Sequence, residues 1–82
     1  GDVYKRQAFK KQKLDIKLKS GWKISSVHVT SGTGSYNNYR VNKSSFSKKI
    51  TVSNNYGYIY VYCYNEKTKV SECLQINTST RY

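Results

Sequence analysis

Hydrophobic residues in this chain recur with a period of two. Over Tyr56-Gly-Tyr-Ile-Tyr-Val-Tyr-Cys-Tyr64, tyrosine alternates with Ile59, Val61 and Cys63, which describes a strand with two different faces built from residue types that favour strands. After Asn65-Glu-Lys-Thr-Lys69 the alternation resumes with Val70, Leu74 and Ile76. A polar connection of about five residues predicts that the two stretches fold back as a hairpin, the centre of the domain.

The same period appears upstream. Leu14, Ile16 and Leu18 alternate with Asp15, Lys17 and Lys19, as in a half-buried antiparallel strand, and Ser20-Gly21 marks a turn after it. In Trp22-Lys-Ile-Ser-Ser-Val-His-Val-Thr30 the apolar positions are even at Trp22 and Ile24 but odd at Val27 and Val29. A slip of one residue would turn the second half to the wrong face, so a bulge or bend is predicted at Ser25-Ser26. Ser31-Gly-Thr-Gly-Ser35 and Asn37-Asn38 read as loop. The glycine pair lacks the Gly-Lys-Ser/Thr ending of a phosphate loop, and no helical pattern follows it. Tyr39-Arg-Val41 reads as a short strand, and Lys43-Ser-Ser-Phe-Ser-Lys48 as a polar crossover in which Phe46 plugs the core. Lys49-Ile-Thr-Val-Ser53 alternates with Ile50 and Val52 inward. Asn54-Asn55 then turns the chain into the tyrosine strand, and Asn77 to Tyr82 forms a polar tail.

Short strands, polar turns and no helical period predict an all-β fold, a small antiparallel β-sandwich. The order of elements resembles the immunoglobulin-like domains of bacterial surface proteins and phage structural proteins. The resemblance rests on Trp22 to Gly32, on Lys49 to Ser53 before the tyrosine strand, and on the closing hairpin from Tyr58 to Ile76. It implies that Trp22 to Thr30 is a middle strand carrying a core tryptophan and that the last two strands close one sheet. Five or six strands are legible where such domains usually have about seven, which leaves room for a lost opening strand.

The first residues resemble something else. Asp2-Val-Tyr-Lys-Arg-Gln7 is what the codons GAT GTG TAT AAG AGA CAG spell, the transposase mosaic end joined to DNA in sequencing libraries. The resemblance implies that residues 1–7 are a translated adapter, that the natural chain was cut near Ala8 in a metagenomic fragment, and that residues 8–82 are the single domain. About 75 residues then remain, near the lower limit for one self-sufficient core. The longest apolar run, Tyr58 to Tyr64, falls far short of the roughly 20 residues of a membrane-spanning helix.

The formal charge of +11 becomes +10 without Asp2, Lys5 and Arg6, which contribute a net +1. Such a field favours any polyanion without choosing among nucleic acid, teichoic acid, acidic glycan and anionic membrane. The lysines keep company with Asn, Tyr and Ile, all encoded by AT-rich codons, so base composition alone accounts for much of this charge. Outside residues 1–7 arginine occurs only as Arg40 and Arg81, which speaks against dedicated bidentate phosphate recognition.

Few residues carry catalytic chemistry. Beyond Asp2, the acidic residues are Asp15, Glu66 and Glu72. Asp15 alternates outward and the glutamates flank the hairpin turn, so no carboxylate pair forms, and nothing resembles a nucleophile elbow. Cys63 with Ile59 and Val61 on one face places Cys73 with the tyrosines, so two unpaired thiols are expected. Their spacing and His28, an outward strand residue, make no usual zinc site. Neither catalytic residues, a metal nor a cofactor are therefore expected.

The tyrosine face remains. Tyr58, Tyr60, Tyr62 and Tyr64 would line one side of a strand at intervals of roughly 6.6–6.8 Å. The candidate binding surface is this stripe with Lys17, Lys19, Lys23 and Arg40. Packing against neighbouring domains or subunits ranks first, contact with glycan second and with single-stranded nucleic acid third. The expectation is a non-catalytic structural or adhesion module of an extracellular, cell-surface or virion protein. The alternative is a basic domain that binds polyanions or single strands through lysines and tyrosines together. In that alternative the cations gather beside the tyrosines; in a spacer they scatter.

Overall fold

Residues 3–10, 13–30, 36–50 and 58–77 are described by the structure, a computed structural model. Alternation becomes strand throughout: β1 (Tyr4–Lys10), β2 (Lys13–Leu18), β3 (Trp22–Thr30), β4 (Tyr36–Lys43), β5 (Ser45–Lys49), β6 (Tyr58–Asn65) and β7 (Ser71–Asn77). They form two antiparallel sheets, one of three strands in the order β1-β2-β5 and one of four in the order β4-β3-β6-β7. The protein is an all-β, small antiparallel sandwich. Among the described residues no helix is long and apolar enough to cross a membrane.

The core lies between the sheets. Leu14, Ile16 and Leu18 face inward from β2, Ile24, Val27 and Val29 from β3, and Ile59, Val61 and Cys63 from β6, all buried. Val3, Ile50 and Ile76 complete it, and Tyr4, Trp22, Tyr39, Val41, Phe46 and Leu74 pack around it half-buried.

The phase slip in β3 is resolved as expected. Ile24 is opposite Cys63 and Ser26 opposite Tyr62, so β3 carries one extra residue between them. Across the other edge Ile24 is opposite Lys43 and Ser26 opposite Arg40, so β4 carries a further residue there. Asn42 absorbs it at φ 55°, in the left-handed region that asparagine tolerates better than most residues. The hydroxyl of Ser25 donates to the carbonyl of Tyr62 at 2.9 Å, supplying a bond at the place where the bulge interrupts the ladder. The result is that Val27 and Val29 rejoin Ile24 in the core.

Several expectations are corrected. The polar crossover around Phe46 is the strand β5, paired with β2 through Ile16–Phe46 and its neighbours. An edge strand has one solvated side and one neighbour, so a single inward aromatic is enough to seat it. Of the strand expected at Lys49 to Ser53, Lys49 closes β5 and Ile50 is buried as expected, while residues 51–53 lie outside the described residues. Asn37 and Asn38 lie inside β4, another edge strand, rather than in a loop.

Val70, expected inward, is 50 % exposed. It belongs to the β6–β7 turn, where Lys69 at φ 63° redirects the chain and the Val70 carbonyl accepts from the Asn65 amide at 2.8 Å. Residues 3–7, set aside as adapter-like, also contribute to the sandwich. Val3 is 3 % exposed and β1 pairs along β2 from Tyr4–Leu18 to Lys10–Lys13, so a strand stands at the start of the described residues. The Ser31 to Ser35 loop, inward Val52, the Asn54-Asn55 turn and the tail beyond Asn77 lie outside the described residues.

Two turns tie one end of the sandwich together. The Trp22 amide donates to the Lys19 carbonyl at 3.1 Å with Gly21 at φ 92°, the geometry that a type II turn requires of its third residue. The Gly21 carbonyl accepts from the Glu66 amide of the β6–β7 turn at 3.1 Å. In that turn Asn65 Oδ1 accepts from the amides of Lys67 and Thr68 at 2.9 and 3.0 Å.

Gly21→Ala is expected to lower stability by about 1–2 kcal/mol through its positive φ, read as a fall in the urea midpoint. In the same assay Leu14→Ala is expected to cost about 2–5 kcal/mol and Val70→Ser no more than about 0.5 kcal/mol. A large loss at Val70 would restore it to the core.

Candidate functional site

Inward and outward positions must alternate along β6, so once Ile59, Val61 and Cys63 enter the core the four tyrosines emerge on the solvent side of the four-stranded sheet. Tyr58 and Tyr62 are 40 % and 42 % exposed, while Tyr60 and Tyr64 are half-buried. The rings of Tyr58 and Tyr60 are tilted with centroids 6.2 Å apart, and His28 on β3 lies 6.4 Å from Tyr60.

Neighbouring strands supply the rest of this face through register. His28, Ser26 and Lys23 stand opposite Tyr60, Tyr62 and Tyr64 on β3, and Gln75 and Cys73 stand opposite Tyr60 and Tyr62 on β7. Beyond β3, Asn38 and Arg40 are paired with His28 and Ser26. The doubled bulge parts β3 from β4, and a shallow polar groove of about 310 Å³ lies there, lined by Ser25, Ser26, Asn38, Arg40 and Asn42. Thr30 closes the end of the stripe: its hydroxyl donates to the Tyr58 carbonyl at 3.1 Å and accepts from the Tyr58 amide at 3.0 Å.

The candidate cations divide between two places. Arg40 sits on the tyrosine face, at the groove. Lys17 and Lys19 do not; with Lys23 they gather around Trp22 at the Gly21 end, beside a depression of about 360 Å³ that Lys5 and Glu66 also line. Lys23 joins the two regions, opposite Tyr64 and paired with Glu66 at 3.3 Å. This ion pair is largely solvated and contributes little to stability. A further basic set, to which Lys17 also belongs, lies elsewhere. Arg6, Lys13, Lys17 and Lys49 share the outer face of the three-stranded sheet, with Asp15 among them and bonded to Arg6 at 3.0 Å.

The face is therefore aromatic and amide-rich on one sheet and basic on the other. His28, Asn38, Ser26 and Gln75 were not among the sequence candidates. His28 and Ser26 could have been found from the β3 bulge once β3 is set beside β6, but Asn38 needed β4 to be recognised as a strand. Among the described residues no group of three His, Cys, Asp or Glu side chains is placed to hold a metal.

The thiols take opposite sides, as the register expectation had it. Cys63 is buried, donates weakly to the Glu72 carbonyl at 3.5 Å and is unbonded, while Cys73 is exposed beside Tyr62 and also free. Burial first, then the Glu72 carboxylate and Cys73, push the Cys63 thiol up to about 11. Burial, with the Cys73 thiol as its next cause, raises the Tyr62 phenol as well.

A scan against protein-family models, a search of curated proteins and a search of solved structures each found no match to this chain. The function must be argued from the two faces themselves.

Cys73 is expected to react with a maleimide in the folded protein while Cys63 reacts only after unfolding; equal labelling rates would contradict the register. Because the folded Cys63 pKa lies above its ordinary value of 9.0, its contribution is complete below pH 9 and is lost as pH rises towards about 11. Denaturation midpoints are expected to fall across that window, and less steeply in Cys63→Val.

Proposed function

We propose that the chain is a non-catalytic structural or adhesion module of a larger bacterial surface or phage protein, extracellular or on a virion, and that it meets its neighbours through the tyrosine face. The observation that carries this reading is the stripe Tyr58–Tyr60–Tyr62–Tyr64. It lies on an interior strand of the four-stranded sheet, flanked by His28, Asn38, Arg40 and Gln75, with no carboxylate at an outward position of that sheet's described strands. Rigid aromatic rings give large contact area at little entropic cost, and the amides and hydroxyls around them supply hydrogen bonds at the rim. Strand order supports the immunoglobulin-like reading: β3 and β6 are central to one sheet, Trp22 opens β3 and packs on the core, and β6–β7 closes that sheet.

The alternative, a polyanion or single-strand binder, finds support in the outer face of the three-stranded sheet, where Arg6, Lys13, Lys17 and Lys49 outnumber Asp15. Those cations face away from the tyrosines. Among the described strands of that sheet, a single strand held by stacking on the tyrosines would find Arg40 and Lys23 on the same face to meet its phosphates.

Fluorescence-anisotropy titrations against single-stranded DNA and an uncharged glycan, each at two salt concentrations, separate these readings. Any DNA binding is expected to fall steeply with salt and to be unchanged in Tyr60→Ala. A loss of roughly tenfold or more in DNA affinity on Tyr60→Ala would instead establish a stacking platform and sink the primary reading. Salt-insensitive glycan binding that depends on Tyr60 identifies adhesion; no glycan binding assigns the face to packing between domains or subunits.

A further inference from the structure

The strand β1 fits its place poorly, and the misfit defines what the place accepts. Among the described strands β1 bonds to β2 alone. Its inner side is set by Val3, 3 % exposed, and by Tyr4 opposite Leu18. The Tyr4 hydroxyl is buried with no hydrogen-bond partner, the one such side-chain atom among the described residues. Native interiors leave few such atoms, because a buried hydroxyl without a partner loses its water for nothing in return.

On the outer side the charges repeat rather than alternate. Lys10, Lys13 and Lys49 fall at one register position across the three strands, and Arg6 stands opposite Lys17. Like charges directly opposite on a sheet are destabilising. Arg6 finds relief diagonally, at Asp15. The pairing is also irregular between Tyr4 and Arg6. Tyr4 and Arg6 fall within residues 2–7, whose resemblance to a translated adapter implies no selection against β2.

We propose that the edge of β2 is a strand-acceptor site, occupied here by an ill-matched strand and suited to a donor strand from another chain. The donor is specified by the slot. It runs antiparallel to β2, carries apolar side chains at the places of Val3 and Tyr4, and carries a carboxylate opposite Lys13. Backbone pairing supplies the ladder and the side chains supply the selectivity, as in strand addition generally. A strongly basic body, +10 without residues 1–7, favours such an acidic donor over a basic one. The inference concerns the three-stranded sheet and goes beyond the tyrosine face proposed above. Its test leaves that face untouched, so the two can fail separately.

The experiment starts from the full chain with a protease site placed at residues 11–12, between β1 and β2. The folded protein is cut and challenged with fluorescent peptides of residues 1–10. One has the chain's own sequence, one carries Tyr4→Phe and Lys10→Glu, and one carries Val3→Asp. The doubly substituted peptide is expected to exchange in and to bind at least roughly tenfold more tightly than the chain's own, and the Val3→Asp peptide not to bind. Uptake of no peptide by a cut protein that stays folded would overturn the proposal, as would equal affinities or tightest binding of the chain's own sequence. If the cut protein unfolds, the intact chain decides. Tyr4→Phe with Lys10→Glu is expected to raise the melting temperature by roughly 4 °C or more, and an unchanged or lower value overturns the proposal.

Discussion

The structure depends on one extra residue in β3. Without it, Trp22 and Ile24 would face the core while Val27 and Val29 faced water, and the strand would serve neither sheet. With Ser25 bulged out, Ile24, Val27 and Val29 meet Cys63, Val61 and Ile59 in register, and burial of these pairs holds the two central strands together. The cost of the bulge is an interrupted ladder. Ser25 offsets part of it by bonding the Tyr62 carbonyl, and Asn42 passes the irregularity out to the edge at a positive φ.

That single re-phasing also makes the surface. Because every residue of β6 lies on one face or the other, fixing Val61 inward fixes Tyr60 and Tyr62 outward, and the partners of the tyrosines follow from the same register. The polar groove at Arg40 is the bulge seen from outside. Core and contact face are thus two consequences of one constraint, and altering the phase of β3 would disturb both.

The division of charge has a different origin. Outward positions of β2 and β5 are lysine and serine with the single carboxylate Asp15, whereas those of β3, β6 and β7 are mostly tyrosine, histidine, serine, threonine and glutamine with Lys23 and Cys73 among them. A sandwich turns these two sets away from each other. Lys17 on β2 therefore faces away from the tyrosines and Lys19 lies at the Gly21 end, although all of these residues look equally surface-bound in a linear reading.

Period-two alternation was enough to locate β2, β3, β6 and β7, the bulge in β3 and the opposite orientations of Cys63 and Cys73, because each follows from local phase. It failed where phase carries no information. β5 is polar on both sides except at Phe46, and β4 opens with two asparagines; both are edge strands, held by backbone pairing to a neighbour that the local sequence does not reveal. Val70 kept the right parity but fell in a turn, where Lys69 breaks the phase. The adapter-like start joined the sheet through pairing with β2 and burial of Val3, which a reading of its own short sequence does not reveal. The sequence by itself determined which residues of the central strands face the core and that the tyrosines form a stripe. Only the tertiary structure decided which sheet each strand joins, and so which cations and amides stand beside those tyrosines, because that depends on pairings between residues far apart in the chain.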